Sequence, residues 1–322
     1  MPLPSDEHII QLANDLIEQL QAMFGVHPGY RPAHAKGLLL TGTFSPSPDA
    51  AALTRAPHIA RQSTPVTVRY SNGTGLPTIP DNFPNANPRG MALRFHLAER
   101  VHTDIIGQSA NVFPVHTGQE FLEFLRAAAA TGPAKPSPIE AFLGTHPAAL
   151  AYVQTPKPSP ASFAKEAFFA MHAFRFINRD GVARYGRYRI SPHAGIEHLD
   201  ETAAQDKDAD YLFDELRKRV AAGSIRYDIL VQVASEGDIV DDVTVHWPDS
   251  RPLVHFGTVV LNALAADNEA LQQHLIFDPI PRVDGIEASA DPLLELRAAI
   301  YLLSGRKRRE PEDAKAKVST AS

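Results

Sequence analysis

The chain has 322 residues, 44% of them hydrophobic and 21% charged, with a net charge of −6. That length is enough for a sizeable buried core. The acidic balance, with no basic patch interleaved with aromatics, argues against a nucleic-acid partner. Cysteine is absent, which excludes disulfides, thiolate-ligated metal centres and thiol-based redox chemistry.

The amino terminus has no basic start followed by an apolar run, so no signal peptide is read. No apolar stretch approaches the length of a membrane span. A cytoplasmic protein without a membrane partner is the expectation, or a periplasmic one had a leader been removed. Ser5, Asp6 and Glu7 mark a helix start. Ile9, Leu12, Leu16, Leu20 and Met23 then recur at helical spacing up to Gly25, predicting a helix over about 6–24. Residues 38–44, 66–70, 91–97 and 103–106 read as strands between clusters of Pro, Gly, Asn and Asp. Helices are predicted over 118–130 and 139–153, followed by a proline-rich loop over 155–160. Strands resume at 173–177 and 183–190 around a hairpin turn at 178–181. A helix over Tyr211–Ala222 ends at Gly223, and strands follow at 226–233 and 253–260. The last helix is predicted over about 292–304, with Pro292 in its first turn and Gly305 past its end. The basic run 306–309 reads as a solvated helix end, and 310–322 as a disordered tail. There is no internal repeat and no βαβ alternation. The pattern predicts an α+β fold, a closed antiparallel β-barrel with inserted and flanking helices, as one domain over 1–322.

Two constellations could carry chemistry. Arg297 and Tyr301 are four apart and share a helix face. A phenol titrates near ~10, so an ionised tyrosine at neutral pH needs a metal ion on its oxygen, a neighbouring guanidinium, or both. Taken alone, the pair also fits an ordinary amphipathic helix. His34 stands among the small residues Ala33, Ala35 and Gly37 and titrates in the range suited to moving a proton. An isolated histidine beside a strand is also a common packed residue. The other histidines form no HExxH-type spacing. Gly73 and Gly75 open no helix and so make no dinucleotide fingerprint, and Met91 reads as core.

In chain order, RPAHAKG (31–37), VRYS (68–71), NPRGMALRF (87–95), DIIG (104–107) and ADPLLELR (290–297) with Tyr301 and Ser304 resemble the haem pocket of the catalase family. The resemblance covers about residues 30–308. It implies an eight-stranded antiparallel barrel with haem b against one side. Tyr301 would be the iron ligand, supported by Arg297; catalases are the standard instance of tyrosinate-ligated haem. His34 would be the distal acid–base, with Ser71 behind it fixing its tautomer. Gln108 stands where catalases place their distal asparagine, one methylene longer but keeping the amide donor. Arg31, Arg69 and Arg308 lie at the family's offsets for binding the haem carboxylates. Arg306, Lys307 and Arg309 are adjacent alternatives to Arg308. Phe113 and Phe121 would pack beside the haem.

The activity so implied is reduction of hydrogen peroxide or organic hydroperoxides by a small organic electron donor, as in the small catalase-related peroxidases. Oxygen release would be weak, because the longer Gln108 disturbs placement of the second peroxide. Two other readings are an isomerase of fatty-acid hydroperoxides, similar to allene oxide synthases, and a haem-binding protein without turnover. Catalases are considerably longer, so the chain would be a minimal haem-bearing core without the arm that threads subunits together. A homodimer or a weak assembly is expected in place of an interlocked tetramer.

Overall fold

The computed structural model describes residues 2–130, 132 and 135–310. Eight strands run antiparallel to their neighbours: β1 (Gly37–Pro46), β2 (Thr64–Ser71), β3 (Gly90–Ala98), β4 (Val101–Gln108), β5 (Phe168–Ile177), β6 (Ala183–Pro192), β7 (Ile225–Val233) and β8 (Leu253–Leu264). Their order is β4-β3-β2-β1-β8-β7-β6-β5, and the sheet closes on itself where Gln108 of β4 pairs with Phe169 of β5. A short β9 (Ile286–Ala288) adds to the other end of β5. The expected closed barrel of about eight strands is present.

Side chains alternate across each strand. The inward set includes Leu40, Val68, Leu93, Phe95, Tyr227 and Phe256, all fully buried. Burying one such side chain contributes about 1.5–3 kcal/mol. The outward set at one end of the barrel is different in kind. Gly37, Ser71, Gly90, Gln108 and Phe169 are successive register partners from β1 to β5. Leu39, Arg69, Ala92 and Ile106 form the next row along. These two rows of small, polar and apolar residues make a wall on the outer face.

Helices α1 (Glu7–Phe24), α3 (Gly118–Ala129) and α9 (Pro292–Arg309) stand opposite that wall. Their apolar faces meet through Leu12, Leu16, Leu122, Leu125, Leu293 and Leu296, joined by Met171 from β5. Each helix starts where the sequence offers a cap. Asp6 accepts from the His8 N–H at 2.8 Å, Thr117 and Glu120 form a capping box, and Asp291 accepts from the Leu293 N–H at 3.0 Å. The remaining helices are α2 (Ala50–Leu53), α4 (Pro138–Thr145), α5 (Pro147–Gln154), α6 (Glu201–Gln205), α7 (Tyr211–Ala222) and α8 (Asn268–His274).

Two sequence expectations need correction. The helix expected over 139–153 is two helices, because Pro147 disfavours helical backbone at His146, which turns out to φ −124 and ψ 85. The last helix does not stop before Gly305 but continues to Arg309. Gly305 is there for close approach: a Cβ would stand 2.5 Å from Ile276 Cγ1. The short elements α2, α6, α8 and β9 carry too little periodic pattern to be read from sequence. The tail expected to be disordered lies, beyond Glu310, outside the described residues. Among the described residues no helix is long and apolar enough to cross a membrane.

Candidate active site

A cavity lies between the outer barrel wall and the helical layer, lined by His34, Ser71, Gln108, Phe169, Arg297 and Tyr301 among others. His34 enters it from the loop before β1 with φ +56, the left-handed region that a β-carbon disfavours. Its Nδ1 is 3.1 Å from Ser71 Oγ. A Cβ on Gly90 would stand 2.5 Å from Ser71 Oγ and 2.9 Å from His34 Nδ1, so only glycine lets the ring seat there. Burial, then the charges of Arg69, Arg31 and Arg297, lower the His34 pKa to about 4; a backbone hydrogen bond with Asn72 opposes them, as a carbonyl acceptor does. With Ser71 Oγ at Nδ1, the ring has Nε2 as its acceptor when Nδ1 carries the proton.

Gln108 lines the cavity, but its amide donor is not free. Its Nε2 donates to the carbonyls of Val112 at 3.1 Å and Ala110 at 3.3 Å, with Met171 Sδ at 3.8 Å. From sequence, Gln108 is expected to present a displaced amide donor to the pocket. The longer side chain instead folds its donors back onto its own loop. Phe113 and Phe121 also line the cavity, their rings 5.5 Å apart.

The opposite wall is α9. Arg297 Nη2 donates to the Tyr301 hydroxyl at 3.1 Å, as the four-residue spacing predicts. The sequence reading missed what lies beside this pair. His172, fully enclosed on β5 and also lining the cavity, pairs through Nδ1 with Asp291 at 2.9 Å. Burial and then Arg297 lower the His172 pKa, with Asp291 opposing. The available signal was one histidine within the apolar run 168–174, together with an aspartate capping the helix that bears Tyr301.

Three guanidinium groups share the cavity rim. Arg31 donates to the carbonyls of Gln272 at 3.1 Å and Leu275 at 2.9 Å, and Arg308 to those of Gln273 at 2.8 Å and Leu275 at 2.9 Å. Arg69 donates to Gln272 Oε1 at 3.0 Å and to the Ala35 carbonyl at 3.1 Å. The end of α8, unread in the sequence, gathers all three. Of the basic run 306–309, only Arg308 is buried; Arg306, Lys307 and Arg309 are exposed. Among the described residues none of the three rim arginines has a carboxylate partner. Burial and mutual repulsion with its two companions lower the Arg31 pKa well below its ordinary value. Burial and then Arg308 lower that of Arg69 to about 9.

Comparison with known proteins decides the family. The family model described as Catalase matches residues 11–319. A catalase-related peroxidase of Mycolicibacterium paratuberculosis is 37% identical over 291 residues, covering 89% of this chain and 92% of that protein. The chain belongs to the catalase family. A second catalase-related peroxidase, from Synechococcus elongatus, is 31% identical over 301 residues, covering 92% of this chain and 88% of that one. Catalases are matched over less of their length: that of Vibrio cholerae is 30% identical across 93% of this chain and 63% of its own. The solved structure of catalase A from Saccharomyces cerevisiae shares the fold, with a TM-score of 0.78 at 23% identity, over 97% of this chain and 66% of that one. Within the family frame, every sequence-predicted site residue, from Arg31 to Arg308, lines this one cavity. Among the described residues no group of three or more His, Asp or Glu side chains is arranged to hold a metal ion.

Proposed function

We propose that the cavity holds haem b, with Tyr301 as the iron's protein ligand and Arg31, Arg69 and Arg308 on its two carboxylates. The observation that carries this reading is the rim itself. Arg69 and Arg308 are buried and Arg31 half-buried; held by neutral acceptors and without a carboxylate partner among the described residues, the three converging charges suit an anion, and a dianionic edge complements them. The rest of the cavity wall suits a flat apolar ring: Phe113, Phe121, Phe169 and Ile106 beside it, and glycine at position 90. Arg297, donating to the Tyr301 oxygen, favours the phenolate that iron ligation requires.

As a member of the catalase family, the chain is an oxidoreductase acting on peroxide. We read it as a peroxidase, reducing hydrogen peroxide or organic hydroperoxides with a small organic donor. Haem held there would supply the two electrons that cleave the oxygen–oxygen bond, and the organic donor would restore them. The chain's own residues handle the protons. His34 Nε2, neutral above about pH 4, takes the proton from the incoming hydroperoxide and returns it to the departing oxygen. Ser71 Oγ at Nδ1 and the Asn72 backbone orient the ring, and the tautomer with the proton on Nδ1 leaves Nε2 free. Gln108 offers no amide hydrogen to a second peroxide, which supports slow oxygen release beside faster oxidation of a separate donor. Titration of the purified protein with haem tests the reading. Saturation at one haem per chain, with absorption bands of a tyrosinate-ligated ferric centre, is expected; no uptake contradicts it.

A further inference from the structure

Asp81 and Arg89 lie between β2 and β3, are fully buried, and do not line the cavity. Asp81 Oδ1 accepts from Lys36 Nζ at 2.7 Å and from Asn72 Nδ2 at 2.8 Å, and its Oδ2 accepts from the Leu212 N–H at the start of α7 at 3.0 Å. Arg89 Nη1 donates to Asn72 Oδ1 at 2.5 Å, and Nη2 to the Asp81 carbonyl at 2.6 Å. The Asn72 amide is thus gripped at both ends. Its backbone is fixed as well: the Asn72 N–H donates to the Lys36 carbonyl at 3.1 Å, and next to it the Ala35 N–H donates to the Thr74 carbonyl at 2.9 Å. Those bonds fix the chain directly after His34, whose ring also meets the Asn72 backbone. Arg89 has a second arm. Its N–H donates to Ser109 Oγ at 3.0 Å, and the Ser109 N–H donates back to the Arg89 carbonyl at 2.8 Å. Ser109 is the neighbour of Gln108. These two buried residues therefore reach the backbone beside both His34 and Gln108.

We propose that Asp81 and Arg89 are positioning residues that set His34 and Gln108 together, through Asn72 on one side and Ser109 on the other. A left-handed histidine relaxes unless its surroundings over-determine it, and this network supplies the constraint. Burying a charged aspartate and a charged arginine is costly unless both are fully hydrogen-bonded, and Arg89 Nε remains without a partner. Apolar residues would fill the same space without that cost, so the pair is explained by what it holds in place. The inference rests on the proposed acid–base role of His34, and the test separates the two.

The test uses the full-length chain with ¹⁵N-labelled histidine, with and without haem. The ¹⁵N shifts report which His34 nitrogen carries the proton; stopped-flow mixing reports peroxide cleavage per bound haem. The wild type is expected to hold the proton on Nδ1 at neutral pH. Asp81→Asn keeps the shape but weakens the grip on Asn72. It should give a mixture of tautomers and a rate per bound haem lower by roughly 10- to 100-fold, with haem content near wild type. Ser109→Ala removes the side-chain bond of the second arm and keeps its backbone bond to the Arg89 carbonyl, so it should lower the rate modestly while leaving the tautomer unchanged. Should Asp81→Asn not fold, Asn72→Ser takes its place. A normal tautomer and a normal rate per haem in the variants, whatever their melting temperatures, overturn the proposal. A wild type that binds no haem would sink the proposed function, while the tautomer measurement would still decide the positioning role.

Discussion

Polar groups without full compensation occur both inside the barrel and on its outer face, and His58 and the rim arginines show the contrast. Inside, His58 is buried against Phe95, with ring centroids 4.7 Å apart, and beside Phe44 and Phe256; its Nδ1 has no hydrogen-bond partner. On the outer face, Arg31, Arg69 and Arg308 have hydrogen-bond partners but no carboxylate among the described residues. A lone neutral ring among phenylalanines is a stability cost with nothing to bind. Three like charges held by carbonyls on one cavity rim are the imprint of an anion. What separates the two cases is convergence: the arginines come from the loop before β1, from β2 and from α9, and meet at one place.

The sharpest break in that comparison comes from the wall that faces the arginines' ligand. His34→Ala should leave haem bound while slowing peroxide cleavage by about 100- to 10,000-fold, the usual worth of an acid–base group. Rapid mixing at matched haem content reads it, and unchanged kinetics would remove the role. In the wild type, the base is lost as His34 gains a proton, so the rate should fall as pH drops through about 4 and stay level from there to neutrality. An acid limb at the ordinary histidine value of 6.5 would show that burial and the arginines do not act on this ring.

Arg69→Leu comes next. A charge-assisted pair contributes about 1.5–3 kcal/mol, so haem should dissociate roughly 10- to 150-fold faster, with little change in the rate per bound haem and little loss of stability in the haem-free chain. Should turnover collapse while occupancy holds, Arg69 works elsewhere in the pocket. Gln108→Asn is too short to reach the same carbonyls. It should raise the ratio of oxygen release to dye oxidation several-fold, as measured with an oxygen electrode and a dye assay; an unchanged ratio would disconnect Gln108 from that balance.

The smallest effect belongs to the interior. His58→Leu removes an unpartnered buried nitrogen and should stabilise the protein by about 1–3 kcal/mol without altering haem affinity. The pH dependence has a definite sign. Burial lowers the His58 pKa from 6.5 to about 3, so between those values the unfolded chain binds the proton and the folded chain does not. Stability is therefore lost as pH falls through that window, and His58→Leu should flatten the loss in denaturant melts. A variant that melts like the wild type across it would place the acid sensitivity in other groups.

How much of this was legible follows from how each wall is built. The Arg297–Tyr301 contact is local, set by helix geometry and readable from a four-residue spacing. The facing wall is not local. Ser71, Gly90, Gln108 and Phe169 become neighbours only through the register of four strands, and a register is not visible in any one segment; the family resemblance supplied it. The barrel was readable from alternating strands and turn clusters. The end of α8, where the arginines gather, was not, because a seven-residue helix has almost no periodic signal. His172 was missed for a related reason: its partner Asp291 is 119 residues away. Gln108 shows a different limit. The sequence gives the donor but not the carbonyls of Ala110 and Val112 that claim it.

The account stands or falls on Tyr301 facing a haem in this cavity. The direct measurement is the visible absorption spectrum of haem-loaded wild type beside Tyr301→Phe, which keeps the ring and removes the oxygen. The wild type should show a tyrosinate-ligated ferric spectrum at one haem per chain, and the variant should lose that spectrum, through release of haem or a change to water or no axial ligand. Identical spectra in the two proteins would contradict the account.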